Sequence, residues 1–216
     1  MDSRFSLSRL FAPRSVSQLA FALTLNLLIV RPATGLTIQS TFDSGLEGWT
    51  AVLITTTWQT TGGNPGGFLR GVDQPFTSYL LAPAAFLGDL SAFNGGYMSF
   101  DHIALDTAGE SIAGLGGTVE IYSGSQVASA DLLTPMTSWQ TGSAPLTATA
   151  WGVSQAIWTS LLSNVTEIRV IVDSTLSGGN ADGFDNFTIV TPEPGTFLLL
   201  ATGFACFGYA HRRGAN

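Results

Sequence analysis

Tyr97-Met98-Ser99-Phe100-Asp101-His102-Ile103-Ala104 places Met98, Phe100, His102 and Ala104 at alternate positions, interleaved with Tyr97, Ser99, Asp101 and Ile103. Successive side chains of an extended chain point to opposite faces, so a period of two predicts a strand with one face on a core. The pattern recurs at 118–122, around Val119 and Ile121, and at 167–172, around Ile168, Val170 and Val172. Further strands are expected at 36–42, 48–57, 68–72, 78–81, 138–146 and 185–190, from their β-branched and aromatic content. Gly62-Gly63-Asn64-Pro65-Gly66-Gly67 and Ser177-Gly178-Gly179-Asn180 read as breaks between them. One stretch differs: at 154–162, Ile157, Trp158, Leu161 and Leu162 recur at helical spacing and predict a two-turn helix lying on a sheet. Many short strands, Gly-rich turns and one short helix predict an all-β sandwich rather than a βαβ fold.

Both ends of the chain are a different kind of sequence. Arg4, Arg9 and Arg14 precede an apolar run at 19–30, followed by Ala33-Thr34-Gly35. A positive start, an apolar stretch of about 7–15 residues and small residues at the cleavage point describe a secretory signal peptide, assigned to residues 1–35. Signal peptidase is then the first partner, and a helix that stays in the membrane is the other reading. At the far end, Pro192-Glu193-Pro194 leads into an apolar stretch at 196–210 and then His211-Arg212-Arg213. The two prolines stop any strand, and the arginines stay cytoplasmic under the positive-inside rule. These three parts, in this order, resemble the PEP-CTERM sorting signal of Gram-negative bacteria, assigned to residues 192–216. The resemblance implies export, transient anchoring in the inner membrane, and processing by an exosortase-type enzyme near Pro192-Glu193-Pro194, with Arg212 and Arg213 as the signal's basic tail. A permanent single-pass anchor is the plainer alternative. Cys206 falls inside the apolar segment as a small membrane residue.

The central module, residues 36–191, is long enough for one domain with a sizeable core. Thirteen of the chain's fifteen acidic residues lie here against two basic ones, Arg70 and Arg169, leaving about −11. A nucleic-acid footprint is therefore excluded. The chain has no lysine, which removes P-loop and Schiff-base chemistry. Its single cysteine excludes an intramolecular disulfide and a cysteine zinc cluster, and two histidines give a histidine-held catalytic metal little to build on.

Five segments, Gly63-Asn64-Pro65-Gly66-Gly67-Phe68-Leu69, Leu81-Ala82-Pro83-Ala84-Ala85-Phe86-Leu87-Gly88-Asp89, Asn94-Gly95-Gly96-Tyr97-Met98-Ser99-Phe100, Leu162-Ser163-Asn164-Val165-Thr166-Glu167-Ile168-Arg169-Val170 and Phe184-Asp185-Asn186-Phe187, occur in an order and spacing that resembles the laminin IV type A (laminin B) domain. The resemblance implies a jelly-roll β-sandwich related to galactose-binding-like and carbohydrate-binding modules, whose members bind sugars, hold calcium structurally or act as matrix spacers. The cysteine-rich modules that flank this domain in laminins are missing, so a laminin-type network does not carry over.

Asp185 has the parity of Phe187 and Ile189, which predicts a carboxylate on the core side of the last strand. A buried carboxylate needs a cation, an arginine or several N–H donors. A structural Ca²⁺ held by Asp43 and Asp185, completed by backbone carbonyls with Asp73 or Asp182, is one solution, because calcium takes 6–8 oxygens. Turn capping by Asp43 and N–H donation to Asp185 is the other. Trp58, beside the Gly-rich stretch, and Trp139, beside Ser138 and Gln140, are the candidates for an exposed sugar-stacking surface, while Trp49 and Trp158 belong to the core. His102 shares its parity with Met98 and Phe100 and is expected in the core with one hydrogen bond. No Gly-x-Ser-x-Gly elbow is present, and nothing in the spacing singles out a glycosidase's pair of carboxylates, so no catalytic residue is assigned. The chain therefore reads as an exported, non-catalytic binding or structural protein, delivered to the cell envelope or extracellular polysaccharide matrix. The rival readings are a passive surface protein without a small ligand and a polysaccharide-acting hydrolase.

Overall fold

The computed structural model of the protein describes residues 35–73, 78–114, 117–132, 137–172 and 180–192. The signal-peptide assignment, and the sorting residues Glu193, Pro194, Arg212 and Arg213, lie outside the described residues. The strands are β1 (Thr37–Ser40), β2 (Thr50–Val52), β3 (Ile54–Gly63), β4 (Gly66–Asp73), β5 (Tyr79–Leu81), β6 (Tyr97–Leu105), β7 (Thr118–Ser123), β8 (Gln126–Asp131), β9 (Gln140–Pro145), β10 (Glu167–Ile171) and β11 (Ala181–Val190). They form two antiparallel sheets. The first runs β3-β4-β11-β6-β9, with β1 also on β11; the second runs β2-β5-β10-β7-β8. This is the all-β jelly-roll sandwich with a short helix. The helix α1 (Gln155–Leu162) starts where the Ser154 hydroxyl accepts the Ile157 N–H, and it packs on β7 and β8. Trp158, Leu161 and Leu162 are buried as expected, whereas Ile157 faces solvent.

Two departures from the sequence reading, at 48–57 and at β8, have local causes. Residues 48–57 are not one strand: the chain turns at Leu53 (φ +59°), so β2 joins the second sheet and β3 the first. The stretch 62–67 is the tight connection of a long β3–β4 hairpin, with Gly63 opposite Gly66. Strand β8 was not expected, because Gln126–Asp131 has only Ala128 and Ala130 as its buried side.

β11 is the spine of the first sheet. Its first half, Ala181–Phe184, pairs with β4 and its second half, Phe187–Val190, pairs with β1, while β6 runs along its other side. Against β6 the ladder slips by one residue: Asp185 lies opposite Asp101 and Thr188 opposite Ser99. The extra residue is Asn186, whose φ of +51° is one that asparagine tolerates better than most side chains. The bulge lets Phe184 and Phe187, three apart, both enter the core. It also corrects the parity argument for Asp185, which is buried but on the opposite face from Phe187 and Ile189.

The core between the sheets is centred on Trp49, whose ring lies 5.0 Å from both Phe184 and Phe187, 5.9 Å from Phe86 and 6.1 Å from Phe42. Its indole N–H donates to the Ser40 hydroxyl at 2.9 Å, which satisfies the one polar atom the ring brings inside. His102 is buried as expected and has one side-chain partner, Asp182, at 2.9 Å. Trp49→Ala should lower the unfolding free energy by about 3–5 kcal/mol, and Trp49→Phe by less, in urea denaturation.

Candidate functional site

The outer face of the first sheet carries a second apolar cluster, separate from the core. Phe68, Ile103, Leu105 and Ala181 are buried there, with Val72 and Trp139 packed against them. These residues take the alternate positions to Leu69 and Phe184, which point the other way into the core. Trp139, just before β9, is half-buried and held from three directions. Its N–H donates to the Gly62 carbonyl at 3.0 Å, and its ring meets Phe68 edge-on at 5.4 Å and 83°. Its far edge lies over Gly183, where a Cβ would come within 2.8 Å of the ring; only glycine leaves room for the indole here.

Beside Trp139 opens a cleft of about 520 Å³. One wall is the β3–β4 hairpin with Gln59, Thr61, Gly62, Phe68 and Arg70; Ile103 and Leu105 line it from β6, and the 107–111 loop closes the other side. That loop is braced internally: Gly109 N–H bonds the Asp106 carbonyl, Glu110 N–H bonds the Asp106 carboxylate at 2.9 Å, and the Ser111 hydroxyl bonds the Thr137 carbonyl. Arg70 reaches across from β4, its Nη2 donating to the carbonyls of Asp106 (3.3 Å) and Thr107 (2.9 Å). The site therefore joins one indole, an amide, hydroxyls and a guanidinium in a preformed recess. Trp58 is not part of it. It lies opposite Leu69, hence on the core-facing side of edge strand β3, with 37% of its surface exposed and its N–H on the Phe42 carbonyl at 2.6 Å.

Of the aspartates expected around calcium, Asp43 and Asp185, with Asp73 or Asp182 as a third, Asp43 lies near enough to Asp185 for its charge to act there, whereas Asp182 takes the other face of β11. Asp182 faces the core and is taken by His102. Asp73 ends β4 opposite Ile54, and its side chain lies outside the described residues. Asp43 is exposed and lies against Gly66. Asp185 accepts the backbone N–H groups of Asn64 (2.7 Å) and Asn186 (2.8 Å), the second of the two solutions expected for it. Among the described residues no group of three or more acidic, histidine or cysteine side chains has a metal-holding geometry. The partner that sequence reasoning missed is Asp101. It lies across from Asp185 and accepts from the Asn64 and Asn186 amides and from the Thr141 hydroxyl. Asn186 also donates to the Asn64 carbonyl. These bonds fasten the tip of the β3–β4 hairpin into the gap where β4 gives way to β1 along β11. The clue was in the sequence: Phe184 and Phe187 cannot share a face of a regular strand.

The PEP-CTERM protein-sorting motif matches residues 190–213. It marks an exported protein processed by an exosortase-type enzyme. Among solved structures, the chain is similar to the L4b domain of human laminin α2, with a TM-score of 0.51 and 10% identity over 73% of this chain and 98% of that one. It is similar to part of an exo-β-agarase, with a TM-score of 0.54 and 16% identity over 75% of this chain and 26% of that one. The CBM22-1 xylan-binding domain of Paenibacillus barcinonensis Xyn10C aligns with a TM-score of 0.47 and 13% identity over 73% of this chain and 96% of that one. At such identities a likeness shows fold alone. No curated protein matches the chain in sequence.

Burial pushes the Asp185 carboxyl up to about 6, against the pull of the two N–H donors, and the neighbouring Asp101 and Asp43 charges add to the rise. The folded chain thus holds this proton more tightly than the unfolded chain, so the group favours folding increasingly as pH falls from about 6 towards 4. Urea denaturation between pH 7 and 4 should show wild type gaining about 2 kcal/mol relative to Asp185→Asn, which has no proton to take up.

Proposed function

We propose that the protein is an exported, non-catalytic module that binds polysaccharide through the cleft beside Trp139 and is retained by it in the cell envelope or extracellular matrix. The observation that carries this reading is the Trp139 ring, held half-exposed at the wall of a recess whose size is that of a small-ligand site. An indole face packs on the C–H groups of a pyranose, and its fixed orientation keeps the ordering cost of binding low. Gln59, Thr61 and Thr107 supply the hydrogen-bonding groups that hydroxyl-rich ligands require. A fold shared with part of an agarose-acting enzyme and with a laminin domain fits a protein of the matrix in either its sugar-binding or its laminin IV type A form.

Lack of access to the buried carboxylates supports a non-catalytic role. Asp101 and Asp185 form a close carboxylate pair with a raised acid, yet they are 5% and 0% exposed beneath the hairpin tip, and among the described residues no carboxylate lines the cleft. A glycosidase needs both carboxyls at the scissile bond. The sorting signal supplies the route: translocation, transient anchoring in the inner membrane, then release by the exosortase-type enzyme. A structural Ca²⁺ held by Asp43, Asp185 and backbone carbonyls would lie outside the cleft, whose lining includes neither aspartate, so sugar binding is expected to be independent of it.

Affinity electrophoresis of the purified protein through gels containing individual polysaccharides, with and without Ca²⁺, tests the reading. Retardation in at least one gel is expected; Trp139→Ala should weaken it about tenfold or more, and Trp58→Ala should leave it unchanged. No retardation by any polysaccharide would leave the passive surface protein instead. Mass spectrometry of the mature protein should find no Arg213-Gly214-Ala215-Asn216 terminus.

A further inference from the structure

We infer that the cleft selects a glycan bearing an isolated oxyanion, the carboxylate of a uronic acid or a sulfate ester, and that Arg70 is the residue that reads it. The inference rests on the polysaccharide-binding reading above and goes beyond it in naming the ligand's charge.

Residues 36–191 hold only two basic side chains, Arg70 and Arg169, among thirteen carboxylates. The two arginines are treated differently. Arg169, on the second sheet, is neutralised by Glu167 and sandwiched between the rings of Tyr79 (4.6 Å) and Tyr122 (4.4 Å). Arg70, on the wall of the cleft, has no carboxylate within ion-pair distance among the described residues. In a domain this acidic, a guanidinium left without a counter-charge departs from the arrangement that electrostatics favours.

The geometry says what the arrangement leaves open. Nη2 alone makes both bonds to the 106–107 carbonyls, so the loop is tied and the guanidinium plane fixed by one nitrogen. Nε and Nη1 carry three more N–H donors, for which the described residues supply no acceptor. Nε–H and the Nη1 hydrogens diverge, so each offers a single charge-assisted bond, which a carboxylate or sulfate oxygen accepts more strongly than a neutral ring hydroxyl does. Held in the same recess as Trp139, they would receive the acidic substituent of a sugar whose ring packs on the indole. The surrounding carboxylates limit the choice further. They repel a densely charged polyanion, whereas a single oxyanion meets Arg70 at contact distance, with the more distant charges screened over about 8 Å at physiological salt. The fitting ligand is thus sparsely acidic. Because arginine stays charged throughout, the preference does not depend on the protonation of the protein's side of the contact.

Calorimetric titration of the full-length protein against a panel of sparsely acidic polysaccharides is the test. Each is supplied in native form, with its carboxyls reduced to alcohols, and desulfated. Native forms should bind about tenfold or more tightly than the stripped form, and whichever treatment removes the preference identifies the oxyanion. Arg70→Gln should bring the ratio of native to stripped affinity to about one, and Arg70→Lys, which keeps the charge, should retain part of it. A merely structural role for Arg70 lowers both affinities and leaves their ratio alone, which overturns the inference. Equal binding of native and stripped forms by wild type, with Trp139→Ala still losing binding, overturns it and leaves the cleft reading standing. If no form binds, the cleft reading falls and this inference with it.

Discussion

The bulge at Asp185-Asn186 is the constraint on which the rest of this molecule depends. One additional residue on β11 lets two phenylalanines three apart enter the same core, where both pack on Trp49. It also divides the strand's pairing, with β4 on one half and β1 on the other. A sheet interrupted in this way has backbone donors and acceptors at the gap that must be satisfied. The hairpin tip enters there, with Asn64 bonding the side chains of Asp185, Asp101 and Asn186, while the Asn186 N–H goes to the Asp185 carboxylate. Burying the carboxylates of Asp101 and Asp185 there is tolerable because five N–H and O–H donors from Asn64, Asn186 and Thr141 converge on them. Gly63 permits it, since a Cβ at that position would lie 2.7 Å from the Asp185 carboxylate.

The same hairpin forms a wall of the cleft. Gly62, one residue from the latched tip, supplies the carbonyl that orients Trp139, and β4 carries Phe68 and Arg70 into the recess. The latch and the cleft are thus consecutive stretches of one β-hairpin, and Gly183, two residues before Asp185, is the floor beneath the indole. A binding surface built this way is preorganised: its aromatic ring and its guanidinium are each positioned by main-chain carbonyls rather than by side chains free to rotate. Packing on both faces also explains why β6 is buried at nearly every position beyond Phe100, where a one-sided strand would alternate.

Much of the architecture was legible because it follows from local chemistry. Period-two runs at β6, β7 and β10 and the Ser154-capped α1 lie where the pattern puts them. What misled was parity. Parity fails for Asp185 because the chain uses Asn186 as a bulge, whose trace in the sequence is two phenylalanines three apart rather than anything in Asp-Asn-Phe alone. It was likewise carried through Leu53, where the chain leaves one sheet for the other. Strand β8 was missed because its buried positions are alanines, whose small apolar surface makes a weak periodic signal. Of the two tryptophans proposed for a sugar surface, only Trp139 lines the cleft; Trp58 has the wrong face of β3.

The sequence by itself determined the chemistry available and the class of fold: a cysteine-free, lysine-free, acidic β-sandwich with a sorting signal at its end, because composition and side-chain alternation are properties of the chain alone. Only the tertiary structure decided which residues meet. Asp101 with Asp185, Trp139 over Gly183, and Arg70 without a carboxylate among the described residues arise from strand pairing between distant segments, and a single bulge changes which face each side chain takes.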